Sequence, residues 1–205
     1  VFESAMSDGR PNQKARTRRA ILDGARQLLR DGEPVTVAAA AARQGVSKAT
    51  AYRYFSDPDI LVSEAMLDIE VKPYEEITLE ASNLRARLTA INLYFLDLAL
   101  AYEGGLRQFL GRTLTVSASG VKGMRRGARR ISMYRQALSE DDGGLPAAQQ
   151  EKLIRALSLA TGIEAMTALL DVAGAGPEEA REAVRTVTQA ILDRCLGPVV
   201  EGVGR

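Results

Sequence analysis

The sequence predicts an all-α fold. Three observations carry that reading: apolar residues recur with a helical period in every long segment, no segment alternates as a half-buried strand does, and cap, glycine and proline residues separate the periodic stretches. The chain has 205 residues, 46% of them hydrophobic, enough for one large domain or for a small domain joined to a larger one. No run of about 18 apolar residues occurs, so no membrane span is predicted. The single cysteine, Cys195, permits no intramolecular disulfide and suits a reducing, cytoplasmic setting. The N-terminus lacks a signal-peptide pattern, and Met6 reads as a start, with Val1 to Ser4 ahead of it. Histidine is absent, which excludes Ser-His-Asp, Cys-His and histidine-zinc chemistry. No catalytic residue, metal site or cofactor is predicted, because no spacing converges the remaining carboxylates, lysines, hydroxyls or the thiol.

Residues 1–14 form a polar lead-in expected to be flexible. From Thr17 to Arg30, Ile21, Leu22, Ala25, Leu28 and Leu29 fall at offsets 0, 1, 4, 7 and 8, one face of an amphipathic helix that ends at Asp31-Gly32-Glu33-Pro34. Thr36 stands as an N-cap before the alanine-rich run Val37 to Ala42, and Gly45 supplies the positive φ of a tight turn. Ser47 caps a third helix running to about Phe55. Asp57-Pro58, a cap followed by proline at the first helical position, opens a fourth, to Ile69. Beyond Pro73, helices are predicted over Tyr74 to Glu103, Leu106 to Leu114, Val121 to Leu138, Ala147 to Ala173 and Pro177 to Leu196. An exposed loop, Asp141 to Pro146, and the break Gly174-Ala175-Gly176-Pro177 divide the last three.

The net charge of +1 conceals an uneven distribution. Between Arg10 and Phe55 ten basic residues face three acidic ones, a block of +7, which leaves 17 basic and 23 acidic residues elsewhere, or −6. A basic head on an acidic body points to a polyanionic partner for the head. Two short helices joined by a three-residue turn inside that block fit a helix-turn-helix whose second helix enters the major groove. In the turn, Val46 can plug the gap between the helices. The second helix offers Lys48, Ala49, Thr50, Tyr52, Arg53 and Tyr54 toward phosphates or base edges, with Thr36, Arg43 and Ser47 beside them, while Ala51 and Phe55 face inward.

The stretch Gly45-Val46-Ser47-Lys48-Ala49-Thr50-Ala51-Tyr52-Arg53-Tyr54-Phe55, with Ile21-Leu22 upstream and Leu61 downstream, resembles the signature of the TetR family of transcriptional regulators. By motif the resemblance covers about Arg16 to Met66; the rest resembles the family in length, helical pattern and a last pair of long helices. It implies a homodimer with a helix-turn-helix DNA-binding domain over 15–60 and a helical ligand-binding and dimerisation domain over 61–205. It further implies a double-stranded, palindromic operator and repression relieved by an unknown small-molecule effector. An activator, or a regulator answering to a protein partner without a small ligand, is the alternative. Three positions depart from the family's pattern. Ala40 and Ala51 stand where larger apolar residues are usual, predicting a looser small core, and Pro58 stands where many members carry a phosphate-touching lysine.

In the last two helices, Leu153, Leu157, Ala160, Val184, Val187 and Ile191 form apolar stripes that the family reading assigns to the dimer interface. Tyr94, Tyr102, Phe109, Met133, Tyr134 and Met166 are the candidate ligand-pocket residues, and Asp97, Glu103 and Glu164 would suit a cationic ligand. The arginine-rich stretch Met124 to Ile131 reads as a solvated helix face. The fourth helix, Pro58 to Ile69, is expected to carry motion from the body to the head.

Overall fold

The structure, a computed structural model, describes residues 9–67, 69–118 and 129–198. All regular elements among them are helical, as the sequence predicts. No single described helix is long and apolar enough to cross a membrane, and the one broken pair that reaches the length, 147–159 with 163–172, turns Leu153, Leu157 and Met166 into the core. The chain divides into two compact units, 1–70 with 102–126, and 71–101 with 127–205.

The first unit holds α1 (Gly9–Arg30), α2 (Val37–Arg43), α3 (Lys48–Tyr52), α4 (Pro58–Leu67) and α7 (Glu103–Ala118). Helix α1 is described from Gly9, so residues 9–14 of the expected lead-in are helical. Pro11 sits in the first turn, where its missing N–H has no intrahelical partner to lose. Ile21, Leu22, Ala25, Leu28 and Leu29 are buried, and α1 packs chiefly against α2 and α4. Helix α4 buries Leu61, Val62, Ala65 and Met66 and lies on α1 and α7. In this unit the apolar face of α4 is complementary to α1, and α7 covers the remainder.

The small residues of this unit do not loosen it. Ala40 and Ala51 are fully buried, and α1 and α2 meet at backbone distance: a Cβ added to Gly24 would stand 2.0 Å from the Ala40 carbonyl oxygen. Alanine and glycine here exchange side-chain volume for close helix approach.

The second unit holds α5 (Tyr74–Ile77), α6 (Leu84–Ala101), α8 (Arg129–Glu140), α9 (Ala147–Leu159), α10 (Ile163–Thr167), a π-helical continuation over Ala168–Val172, and α11 (Pro177–Leu196). Helix α6 packs against α5, α8, α10 and α11, and Leu88, Ile91, Tyr134, Leu153, Leu157 and Leu192 form the centre of the core. Two predicted helices are divided. Tyr74 to Glu103 breaks before α6, where the Asn83 carboxamide oxygen accepts from the Ala86 N–H at 2.9 Å. Ala147 to Ala173 breaks at 160–162 with a bend of 42°, because the Thr161 hydroxyl turns inward to donate to the Asn92 carbonyl and Gly162 adopts φ +84°. Residues 121–128 of the predicted helix Val121 to Leu138, including Arg125 and Arg126, lie outside the described residues.

Asn92, Thr161 and Thr188 are buried polar residues in this core. The Asn92 amide donates to the Thr188 hydroxyl at 2.8 Å, and its oxygen accepts from the Tyr134 hydroxyl. These bonds join α6, α8 and α11 in one satisfied network, the condition under which buried polar groups specify packing. Arg181 adds a bidentate pair to Asp97 on α6, at 3.0 and 3.1 Å.

Candidate nucleic-acid interface

The candidate surface is assembled from two caps and a turn. The Thr36 hydroxyl accepts from the Ala39 N–H at 3.0 Å and starts α2, while the Ser47 hydroxyl accepts from the Thr50 N–H at 3.2 Å and starts α3. Between them Gly45 takes φ +64°, and the Val46 N–H returns to the Ala41 carbonyl at 2.9 Å, so the chain leaves α2 in a closed turn. A side chain at Gly45 would be strained in this left-handed conformation even though the space beside it is open.

Helix α3 is sharply two-sided. Ala51 and, just past its end, Phe55 are buried, whereas Lys48, Ala49, Tyr52 and Arg53 are exposed, Tyr52 at 44%. Thr50 and Tyr54 are half-buried, and the Ser47 hydroxyl donates to Thr50 Oγ1 at 2.9 Å. Among the described residues Lys48 and Arg53 make no ion pair, and neither do Lys14, Arg16, Arg19 and Arg30 of α1. Their charges are available to an external anion.

Arg43 is different. Its guanidinium is bonded to Asp31 at 2.7 Å and to Glu33, and these bonds, Asp31 first, hold its pKa above the usual arginine value. The side chain clamps the α1–α2 loop to the end of α2 and is neutralised there, so it stands apart from the cationic set expected from the sequence. Sequence reasoning also missed Arg18. It lies 5.1 Å from the Phe55 ring centroid and pairs with Glu64, tying α1 to the end of α3 and to α4. The signal was present: Arg18 precedes the buried Leu22 by four residues and so shares the inner face of α1.

The pocket candidates are divided between the two units. Tyr102 and Phe109 belong to the first unit, and Tyr94, Met133, Tyr134 and Met166 to the second. Tyr134 and Met166 are fully buried, and the Tyr94 hydroxyl accepts from the Lys72 N–H at 2.8 Å. Burial pushes the Tyr134 phenol far above its ordinary range. The acids expected to greet a cation already have one: Asp97 faces Arg181, Glu103 faces Arg107 at 2.8 Å, and Glu164 lies 4.0 Å from Arg130. Among the described residues no group of three His, Cys, Asp or Glu side chains is placed to hold a metal ion.

The dimer candidates separate by face. Leu153, Leu157, Ala160 and Val184 are buried inside their own unit, because α9 packs on α8 and α11, and α11 on α6. Val187 is 48% exposed and Ile191 half-buried, and Leu159 and Val172 are exposed apolar residues on the same run of helices. The outward residues, not the buried stripe, are available to a second chain.

Comparison of the chain with protein-family models, with curated proteins and with solved structures found no match.

Proposed function

We propose that the chain is a sequence-specific DNA-binding regulator of the TetR type, in which α2 and α3 act as a helix-turn-helix and α3 reads the major groove. One observation carries the reading: a capped short helix turns Lys48, Tyr52 and Arg53 outward, unpaired, while anchoring itself through Ala51 and Phe55. Lysine and arginine neutralise phosphates and tyrosine and threonine donate to phosphate or base edges, so both backbone and sequence contacts are supplied by one surface. The free N–H groups at the start of α2, beside Thr36, add a further phosphate partner.

In this reading the protein works as a homodimer, bringing two copies of α3 to half-sites about one helical turn apart, and acts as a cytoplasmic repressor that a small molecule releases from its operator. The exposed Val187, with Leu159 and Val172, supports contact with a second copy. No enzymatic role is invoked. The test is duplex binding by the full chain: Lys48→Ala and Tyr52→Ala should each weaken it by about 1–3 kcal/mol. Unchanged binding in both variants would remove α3 from the interface.

A further inference from the structure

A second cationic feature lies in the first unit, apart from α3, and of the pocket residues expected from the sequence it includes Tyr102 alone. Arg19, Arg26 and Arg30 recur on α1 at i, i+7 and i+11, one stripe of a helix with 3.6 residues per turn. The stripe forms one wall of a polar cleft of about 450 Å³, whose other walls are Gln27 of α1, Gln44 at the end of α2, Glu70 after α4 and Tyr102 before α7.

We infer that this cleft binds a small polyanion of the phosphate or polycarboxylate class. Arg19 and Arg30 have no ion-pair partner among the described residues, and their Cα atoms are about 16 Å apart along the helix, which suits an anion charged at more than one point. Arg26 lies between them, paired with Asp23. The Gln27 carboxamide oxygen is taken by the Gln44 amide at 3.1 Å, leaving the Gln27 NH₂ as a donor, and the Tyr102 hydroxyl has no hydrogen-bond partner among the described residues. Three guanidinium groups and these neutral donors outweigh two carboxylates, Asp23 and Glu70. Guanidinium forks match both phosphate and carboxylate oxygens.

The position gives such a ligand a route to the DNA surface. Gln44 caps α2 through its backbone N–H and immediately precedes Gly45 of the turn into α3. An anion that draws on Gln27 and Gln44 competes with the bond joining α1 to the end of α2. This regulatory step rests on the DNA-binding reading; the binding itself does not.

The experiment is calorimetric titration of the full chain at fixed ionic strength with tripolyphosphate and, separately, with citrate, followed by duplex binding with and without the probe. Saturable one-to-one binding of either probe is expected, the tighter one assigning phosphate or carboxylate as the preferred group. The exposed double variant Arg19→Gln/Arg30→Gln should bind at least tenfold more weakly, and Glu70→Gln several-fold more tightly. Failure of both probes to saturate, or equal binding by the double variant, overturns the site. Probe binding that leaves duplex affinity unchanged in the wild type overturns the regulatory step alone. A double variant that loses duplex affinity without any probe assigns the stripe to DNA and overturns the ligand site.

Discussion

Replacing Gly24 by alanine tests the close contact on which the placement of α2 and α3 depends. The added methyl would meet the Ala40 carbonyl oxygen at 2.0 Å and its carbon at 2.9 Å, with Gln44 Cγ at 3.2 Å. Contacts of this kind are not sustained below 3.0 Å, so α1 and α2 must separate by about 1 Å. Overpacking of this order costs about 1–3 kcal/mol, and the better helix propensity of alanine returns at most about 1 kcal/mol. With the full propensity gain the net destabilisation is up to about 2 kcal/mol, or a Tm lowered by up to roughly 8 °C for a chain of this length. Gly111→Ala is the matched control, because it lies exposed inside α7 with nothing within 4 Å of the new methyl. That variant should gain about 0.5–1 kcal/mol from propensity alone. Thermal and denaturant unfolding of the two variants, read beside the parent, decide the matter. Equal behaviour of Gly24→Ala and Gly111→Ala would refute the backbone contact. If the contact is as close as described, Gly24→Ala should also weaken duplex binding, since α2 carries both the Thr36 cap and the turn into α3.

Three further outcomes follow from the second unit. Tyr134→Phe removes the hydroxyl that serves Asn92 and leaves a buried carboxamide oxygen short of a donor, so urea unfolding should report a loss of about 1–3 kcal/mol. Tyr74 is 6% exposed and its phenol is pushed up to about 12, by burial first and by its hydrogen bond to Glu140 second. A folded pKa above the unfolded value near 10 gives stability that is whole below about pH 10 and lost as pH rises toward 12, and Tyr74→Phe should flatten the Tyr74 part of that alkaline loss in unfolding measured across this range. In the homodimer proposed above, Val187→Glu would place a charge on the outward face of α11 against a second copy, and sedimentation should show a monomer; an undisturbed dimer would move the interface elsewhere.

What the sequence made legible is what short-range chemistry decides. Thr36 and Ser47 are readable as caps because each bonds to a backbone N–H three residues on, and Gly45 is readable as the turn because φ +64° excludes most other residues. The inward pair Ala51 and Phe55 follows from a four-residue spacing. The break at 160–162 was illegible, because the group that draws Thr161 inward is the Asn92 carbonyl, 69 residues away. Periodicity marked Leu153, Leu157 and Val184 as one apolar stripe but could not tell whether the same chain or another copy covers it. Aromatic periodicity likewise announces burial, as at Tyr134 and Phe109, without saying which residues share a wall. Arg43 was open to a closer reading, since Asp31 and Glu33 stand in the loop just ahead of its helix.

The central claim is that α3 reads duplex DNA, and selection of bound duplexes from a randomised pool by the full chain tests it most directly. The account predicts enrichment of a palindrome or near-palindrome with half-sites about one helical turn apart, bound with an affinity that falls with salt at a log-log slope near −0.9 for each phosphate neutralised, and lost by Lys48→Ala with Tyr52→Ala. A pool that stays random through repeated rounds, or an enriched site held equally well by the double variant, would contradict it.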